Sequence, residues 1–241
     1  VAEIALALLD SGLIREEVVA AWAPAFIDAA NSIASGLKNS ENYNDLHLAS
    51  LLQLIGRWHT PSANATLRRY LAVKNDDLLM EAAVQLAAAG QTLPPAVLHR
   101  LASDPAYRRP FYDRLKEKKK TSVFPSEYST QASLAESDVY HAAADDDDGP
   151  AGKEQVEFVS KKIASFKGVG YTWYLYKVSF TGEDGTHSFL GVAGGYPPAS
   201  TTVSPPKDRT GIYWEGEFDK TRLSSLFKAY LDWRLKEEAD E

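Results

Sequence analysis

The residues with the most chemical potential in this chain lie in HAAADDDDGPAGK, residues 141–153, where four consecutive aspartates, Asp145 to Asp148, precede a Gly-Pro pair. Adjacent carboxylates suggest a calcium site. A calcium loop of the helix-loop-helix type needs oxygen ligands at its first, third and fifth positions, Gly at the sixth and a bidentate Glu at the twelfth. With Gly149 at the sixth position, Asp146 and Asp148 fall where ligands belong, but Ala144 takes the first position and Gln155 the twelfth. Two charged anchors are missing, and four like charges in a row repel one another. The stretch therefore reads as an exposed acidic linker rather than a metal site.

The remaining motifs supply no reagent. The histidines are His47, His59, His99, His141 and His187, and no two have the i, i+4 spacing of a helical zinc pair. There is no cysteine, which removes thiolate metal sites, disulfides and a Cys nucleophile. No G-x-S-x-G elbow nominates a serine. GVAGGYPP, residues 191–198, lacks the Lys-Ser/Thr of a phosphate loop and runs into prolines where an anion-binding helix would start. Gly191, Gly194 and Gly195 are instead expected at a strand bend or bulge, and KGVG at 167–170 at a turn. No catalytic residue and no cofactor are assigned, and a hydrolase would need Asp, His and Ser groups that converge only in the fold. Recognition has one candidate, the aromatic concentration beyond residue 170. Tyr171, Trp173, Tyr196, Tyr213 and Trp214 could stack on a sugar or an extended peptide.

Two kinds of element must position these residues. Up to residue 140, apolar side chains recur at three and four residues between breakers. Val18, Val19, Trp22, Phe26 and Ile33 trace one helix that Pro24 can divide. Leu48, Leu51, Leu52 and Ile55 trace another, expected to stop at Gly56, and Thr60-Pro61 looks like the capped start of the next. Near residue 150 the period changes to two. YTWYLYKVSF, residues 171–180, sets Tyr171, Trp173, Leu175 and Lys177 on one face and Thr172, Tyr174, Tyr176, Val178 and Phe180 on the other. TGEDGT then turns the chain into HSFLGVAGG, a β-hairpin. A strand with Val156 and Phe158 pointing inward is expected before the hairpin, and another over GIYWEGEF after a proline-rich loop. Asp219 is placed to cap a final helix whose Leu223, Leu226, Phe227, Tyr230 and Leu231 form one apolar stripe against the sheet. The other sheet face is left for solvent, the helices or a ligand.

LLQLIGRWHTPSANATLRRYLA and AVQLAAAGQTLPPAVLHRLAS share a plan: an apolar helix, a Gly, a short polar link with Pro, and a second helix bearing Leu and Arg. On these positions the segment 44–117 resembles HEAT-like repeats, whose stacked antiparallel helix pairs bury a continuous core. The expected architecture is α+β in two domains. A HEAT-like array of antiparallel helical hairpins spans 1–140, an acidic Gly/Pro linker 141–153, and a small antiparallel β-sheet with a packed C-terminal helix 154–241.

Composition narrows the classes of partner. The net charge is −7 and the only basic run is KEKKK at 116–120, suited to the negative pole of a helix end, so no nucleic-acid footprint is expected. No stretch approaches the roughly 20 apolar residues that span a bilayer. The absence of cysteine fits a reducing cytoplasm and an oxidising periplasm alike. The chain starts at Val1 and holds a single Met, which suggests a mature form or a piece of a longer protein. The function expected is a non-catalytic interaction or accessory module whose partner is another protein or another domain of the same polypeptide; a carbohydrate- or peptide-binding domain is the alternative.

Overall fold

The computed structural model describes residues 1–37, 46–144, 154–182, 185–198, 209–213 and 218–237. The architecture is α+β, and the chain divides into two compact units, Val1–Ser126 and Glu127–Glu241.

The first unit contains α1 (Ala2–Asp10), α2 (Glu16–Ala20), α3 (Ala23–Leu37), α4 (Leu46–Arg57), α5 (Pro61–Tyr70), α6 (Asp76–Ala88), α7 (Pro95–Ser103) and α8 (Pro105–Glu117). Pro24 sits in the first turn of α3, where a missing N–H is harmless, so the long apolar pattern is split into α2 and α3. Thr60 caps α5 by accepting a hydrogen bond from the Ala63 N–H at 3.2 Å, with Pro61 in the first turn. Asn75 caps α6 in the same way through Leu78 N–H at 3.0 Å. At the α7–α8 junction Asp104 accepts from Ala106 N–H, while Arg108 donates to the Ala102 and Ser103 carbonyls that α7 leaves unpaired.

Gly56 behaves differently from expectation. It lies inside α4 with no left-handed backbone, and the residue that turns the chain is His59, at φ 50°. The reason for glycine is contact: a Cβ at residue 56 would lie 2.4 Å from Gln85 Oε1 and 2.7 Å from Gln85 Cβ. Gly56 is what lets α4 and α6 touch. Helix α4 packs on α6 and α6 on α8, while α3 packs on α5, so helices two apart in sequence are neighbours as well as consecutive ones. α6 is consequently buried nearly all round, through Leu78, Leu79, Ala82, Ala83, Val84, Leu86 and Ala87. Each of its larger aliphatic side chains contributes about 1.5–3 kcal/mol by leaving water.

One charge is enclosed with them. Glu81 on α6 is 2% exposed and accepts from Gln53 Nε2 of α4 at 3.0 Å, from Gln85 Nε2 at 2.8 Å, and from Arg114 of α8, which reaches both carboxylate oxygens. Four donations to one carboxylate leave it fully satisfied, and they tie the row α4–α6–α8 together.

The second unit places α9 (Gln131–Ala144) before four strands: β1 (Gln155–Phe166), β2 (Val169–Gly182), β3 (Gly185–Tyr196) and β4 (Thr210–Tyr213), followed by α10 (Leu223–Glu237). The strands form an antiparallel meander in the order β1-β2-β3-β4. Lys167 and Gly168, at φ 49° and 80°, make the two-residue β1–β2 turn, the paired positive φ that suits a tight hairpin. On one face Tyr171, Trp173 and Leu175 of β2 pack with Leu190, Val192 and the α10 stripe of Leu226, Phe227 and Tyr230, as the alternation and the stripe imply. Asp219 caps the turn that leads into α10, accepting from Thr221 N–H at 2.8 Å.

The opposite face corrects the domain expectation. It is covered by α9, whose Ala135, Val139 and Ala143 lie at four-residue spacing against Tyr174, Tyr176, Val178, Ala193 and Ile212. The helix assigned from sequence to the first domain thus packs with the sheet. The division falls after Ser126 rather than at 140, and 141–144, expected in the linker, form the last turn of α9. Residues 145–153, including the aspartate run, lie outside the described residues, as do 199–208 of the proline-rich loop and 214–217 of the last expected strand. Phe158 is also corrected: it is 51% exposed rather than inward, because β1 is an edge strand and the ring is flanked on one side only, meeting Tyr176 of β2 edge to face at 5.9 Å between centroids.

Two substitutions test the α4–α6–α8 row. Gly56→Ala forces Gln85 off α4 and should cost about 1–3 kcal/mol in urea unfolding. Arg114→Met strands the buried Glu81 carboxylate and should cost about 3 kcal/mol, the lower end for a broken buried pair since Arg114 keeps 28% exposure, with Arg114→Lys recovering part. An unchanged unfolding midpoint in either variant would remove that contact from the account.

Candidate functional site

The structure separates the five aromatic candidates. Tyr171 and Trp173 are completely buried and present no ring to a ligand. Trp173 meets Tyr230 of α10 edge to face at 6.4 Å between centroids, and its ring lies across the backbone of β3, where a Cβ on Gly194 would stand 2.4 Å from the indole. Gly194 and Gly195 occupy an irregularity in the β2–β3 register between Thr172 and Tyr174, with Gly195 at φ 67°, so the expected bulge is present and the tryptophan is the reason for the missing side chain. Tyr196 is half-buried. The backbone of Tyr213 ends β4, and Trp214 lies outside the described residues. A stacking platform is therefore not assembled from Tyr171 and Trp173; those rings weld the sheet to α10.

Three tyrosine hydroxyls instead reach α9. Tyr174 donates to Gln131 Oε1 at 3.1 Å, Tyr176 to the Ala132 carbonyl at 2.6 Å, and Tyr196 to Asp138 Oδ2 at 3.2 Å. The alanines and Val139 bring the helix close, and Gly191 completes the fit, since a Cβ there would stand 2.5 Å from Val139 Cγ1. Burial raises the Tyr176 hydroxyl strongly above its ordinary pKa, aided by the carboxylate of Glu136, and burial raises Tyr174 too. Neither phenol ionises near neutrality. They are hydrogen-bonding struts and not acid–base catalysts.

A concavity of this unit lies elsewhere, at the β2–β3 hairpin end of the face that α10 covers. Along β2 that face is apolar to Leu175 and polar from Lys177 on, and α10 spans only the apolar part. Beyond it a recess of about 490 Å³ opens between Glu157, Lys177, Thr186, Ser188, Asp219 and Lys220. Ser179 and Ser188 hydroxyls meet across the strands at 2.8 Å, and Thr181 and Thr186 at 3.0 Å. Two ammonium groups, two carboxylates and paired hydroxyls can hold a small polar molecule. A reaction is less well served. Asp219 is engaged by the Thr221 hydroxyl and N–H, which hold its pKa below the usual carboxylate value, so it is an ion at neutral pH and a poor proton acceptor.

Sequence reasoning passed over this recess. The signal was the change from Tyr, Trp and Leu to Lys and Ser along one face of β2, but whether α10 would cover the polar part depended on where that helix begins. The histidines do not converge: His47 on α4 lies 3.0 Å from Glu3 of α1, His59 and His99 are exposed, and His187 packs against Phe180. Among the described residues no group of three His, Asp or Glu side chains is placed to hold a metal ion, and no helix is long and apolar enough to cross a membrane.

The tyrosine struts carry a pH signature. A phenol whose pKa is raised on folding contributes stability that is complete below its unfolded value, near 10, and is lost as pH climbs toward the folded value. Unfolding free energy should fall above about pH 10 by about 1.4 kcal/mol per pH unit on account of Tyr176. Tyr176→Phe should flatten that slope in urea titrations; an equally steep slope in the variant would assign the loss to other groups. Comparison with protein-family models, curated proteins and solved structures finds no match for this chain.

Proposed function

We propose that this chain is a non-catalytic interaction module in which a HEAT-like helical array presents a surface to another protein or to another domain of the same polypeptide. The observation that supports this reading is the packing of α3 on α5, α4 on α6 and α6 on α8, helices two apart in sequence, as in stacked helix pairs. Such an array builds a continuous core from short repeats and leaves long helix faces for binding. The start of the array carries apolar side chains in the open: Ile4 of α1 is 65% exposed, and Leu13 and Trp22, in the links before α2 and α3, are 78% and 46% exposed. Exposed apolar side chains are suited to a partner, and tryptophan is enriched where binding energy concentrates. The recess of the second unit favours a reaction less, because Asp219 is held as an ion by the Thr221 hydroxyl and N–H.

The test is affinity capture from the organism that makes the protein, using the wild type and a Leu13→Ser/Trp22→Ser variant. A partner held by the wild type should bind about ten-fold or more weakly to the variant when both are purified. Leu13 is mostly exposed and Trp22 about half-buried, so circular dichroism on the variant separates lost binding from lost folding. Turnover of ester, phosphoester, glycoside or peptide substrates by the purified chain would overturn the reading, as would a partner that binds both forms equally.

A further inference from the structure

Strand β1 is an edge. It pairs with β2 on one side, and its other side has no strand neighbour among the described residues over the whole of Gln155–Phe166. An open edge of that length is a template for another strand, and proteins that keep such an edge single blunt it with charge or irregularity. β1 carries both Lys161 and Lys162 and a register shift between Phe158 and Ser160, so a blunted edge is the plain reading. Two large apolar side chains argue against leaving it there: Phe158 is 51% exposed and Ile163 75%.

The register shift decides how β1 could be used. Before it, Glu157 lies opposite Lys177, on the α10 face, and Phe158 opposite Tyr176, on the α9 face. After it, Lys162 lies opposite Trp173 on the α10 face, while Lys161 and Ile163 lie opposite Tyr174 and Thr172 on the α9 face. Odd positions before the shift thus share a face with even positions after it. An antiparallel pair of two β1 strands about a two-fold axis between Val159 and Ser160 sets Glu157 opposite Lys162, Phe158 opposite Lys161, and Val156 opposite Ile163. In every one of these pairs both residues stand on the same face. Without the shift they would point to opposite faces and could not meet.

We propose that the open edge of β1 is a homodimer interface, in which a second copy of this chain pairs its own β1 antiparallel in that register and extends the sheet across the two-fold. The charges select the arrangement. Each Glu157 neutralises a Lys162 of the other copy, twice by symmetry, and Lys162, whose ammonium rests 4.9 Å from the Phe227 ring centre, is held at the α10 face where Glu157 arrives. On the α9 face the Lys161 stem covers Phe158, and Val156 covers Ile163. The two lysines that blunt the edge toward other strands therefore become complementary toward this one. An interface of one strand from each copy is small, so the dimer forms in the micromolar range rather than permanently.

Sedimentation equilibrium on the full chain tests this. The wild type should be a reversible dimer. Glu157→Lys and Lys162→Glu should each weaken it about ten-fold, since two favourable pairs become repulsive. An equimolar mixture of the two variants should dimerise again, because both 157–162 pairs across the two-fold are then opposite in charge. Circular dichroism serves as the check that each variant is folded. A wild type that stays monomeric to about 1 mM would overturn the proposal. So would a dimer indifferent to both substitutions, or a mixture that fails to recover.

Discussion

Strand β2 is apolar on both faces, with Tyr171, Trp173 and Leu175 on one and Tyr174, Tyr176 and Val178 on the other. A four-stranded meander built around such a strand cannot leave either face in water, so it requires two covering layers. α10 supplies one and α9 the other, one helix before the strands and one after them. The close fit of these layers follows from small residues at the points of contact. Gly194 admits the Trp173 ring, and Gly191 admits Val139, while the alanines of α9 let the three tyrosine hydroxyls reach their acceptors.

The helical unit solves a related problem by different means. α6 is enclosed by helices on several sides, so its apolar content is nearly continuous, and the carboxylate of Glu81 enters that interior only because four donations converge on it. Gly56 repeats the logic of Gly191 and Gly194, since all three are glycines for lack of room rather than for a left-handed backbone.

Much of this organisation was legible in the residues. The change of period near residue 150, the hairpin, the Asp219 cap and the Leu223-to-Leu231 stripe all depend on interactions between near neighbours in the chain, which local sequence encodes. What could not be read was which partner a helix would choose. α9 has the same Ala-rich pattern as the helices before it, and nothing in its sequence distinguishes a helical neighbour from a sheet. Its choice is made by the apolar back face of β2 and by the tyrosine hydroxyls, residues tens of positions away.

The same divide runs through the candidate sites. The sequence by itself determined that there is no thiolate, no i, i+4 histidine pair and no phosphate-loop motif, because those need residue types or local spacings that are missing. It also marked the aromatic concentration. Only the tertiary structure decided that Tyr171 and Trp173 are core, that Phe158 and Ile163 are open, and that a polar recess lies beyond the reach of α10, because exposure is a property of what packs above a residue and not of the residue itself.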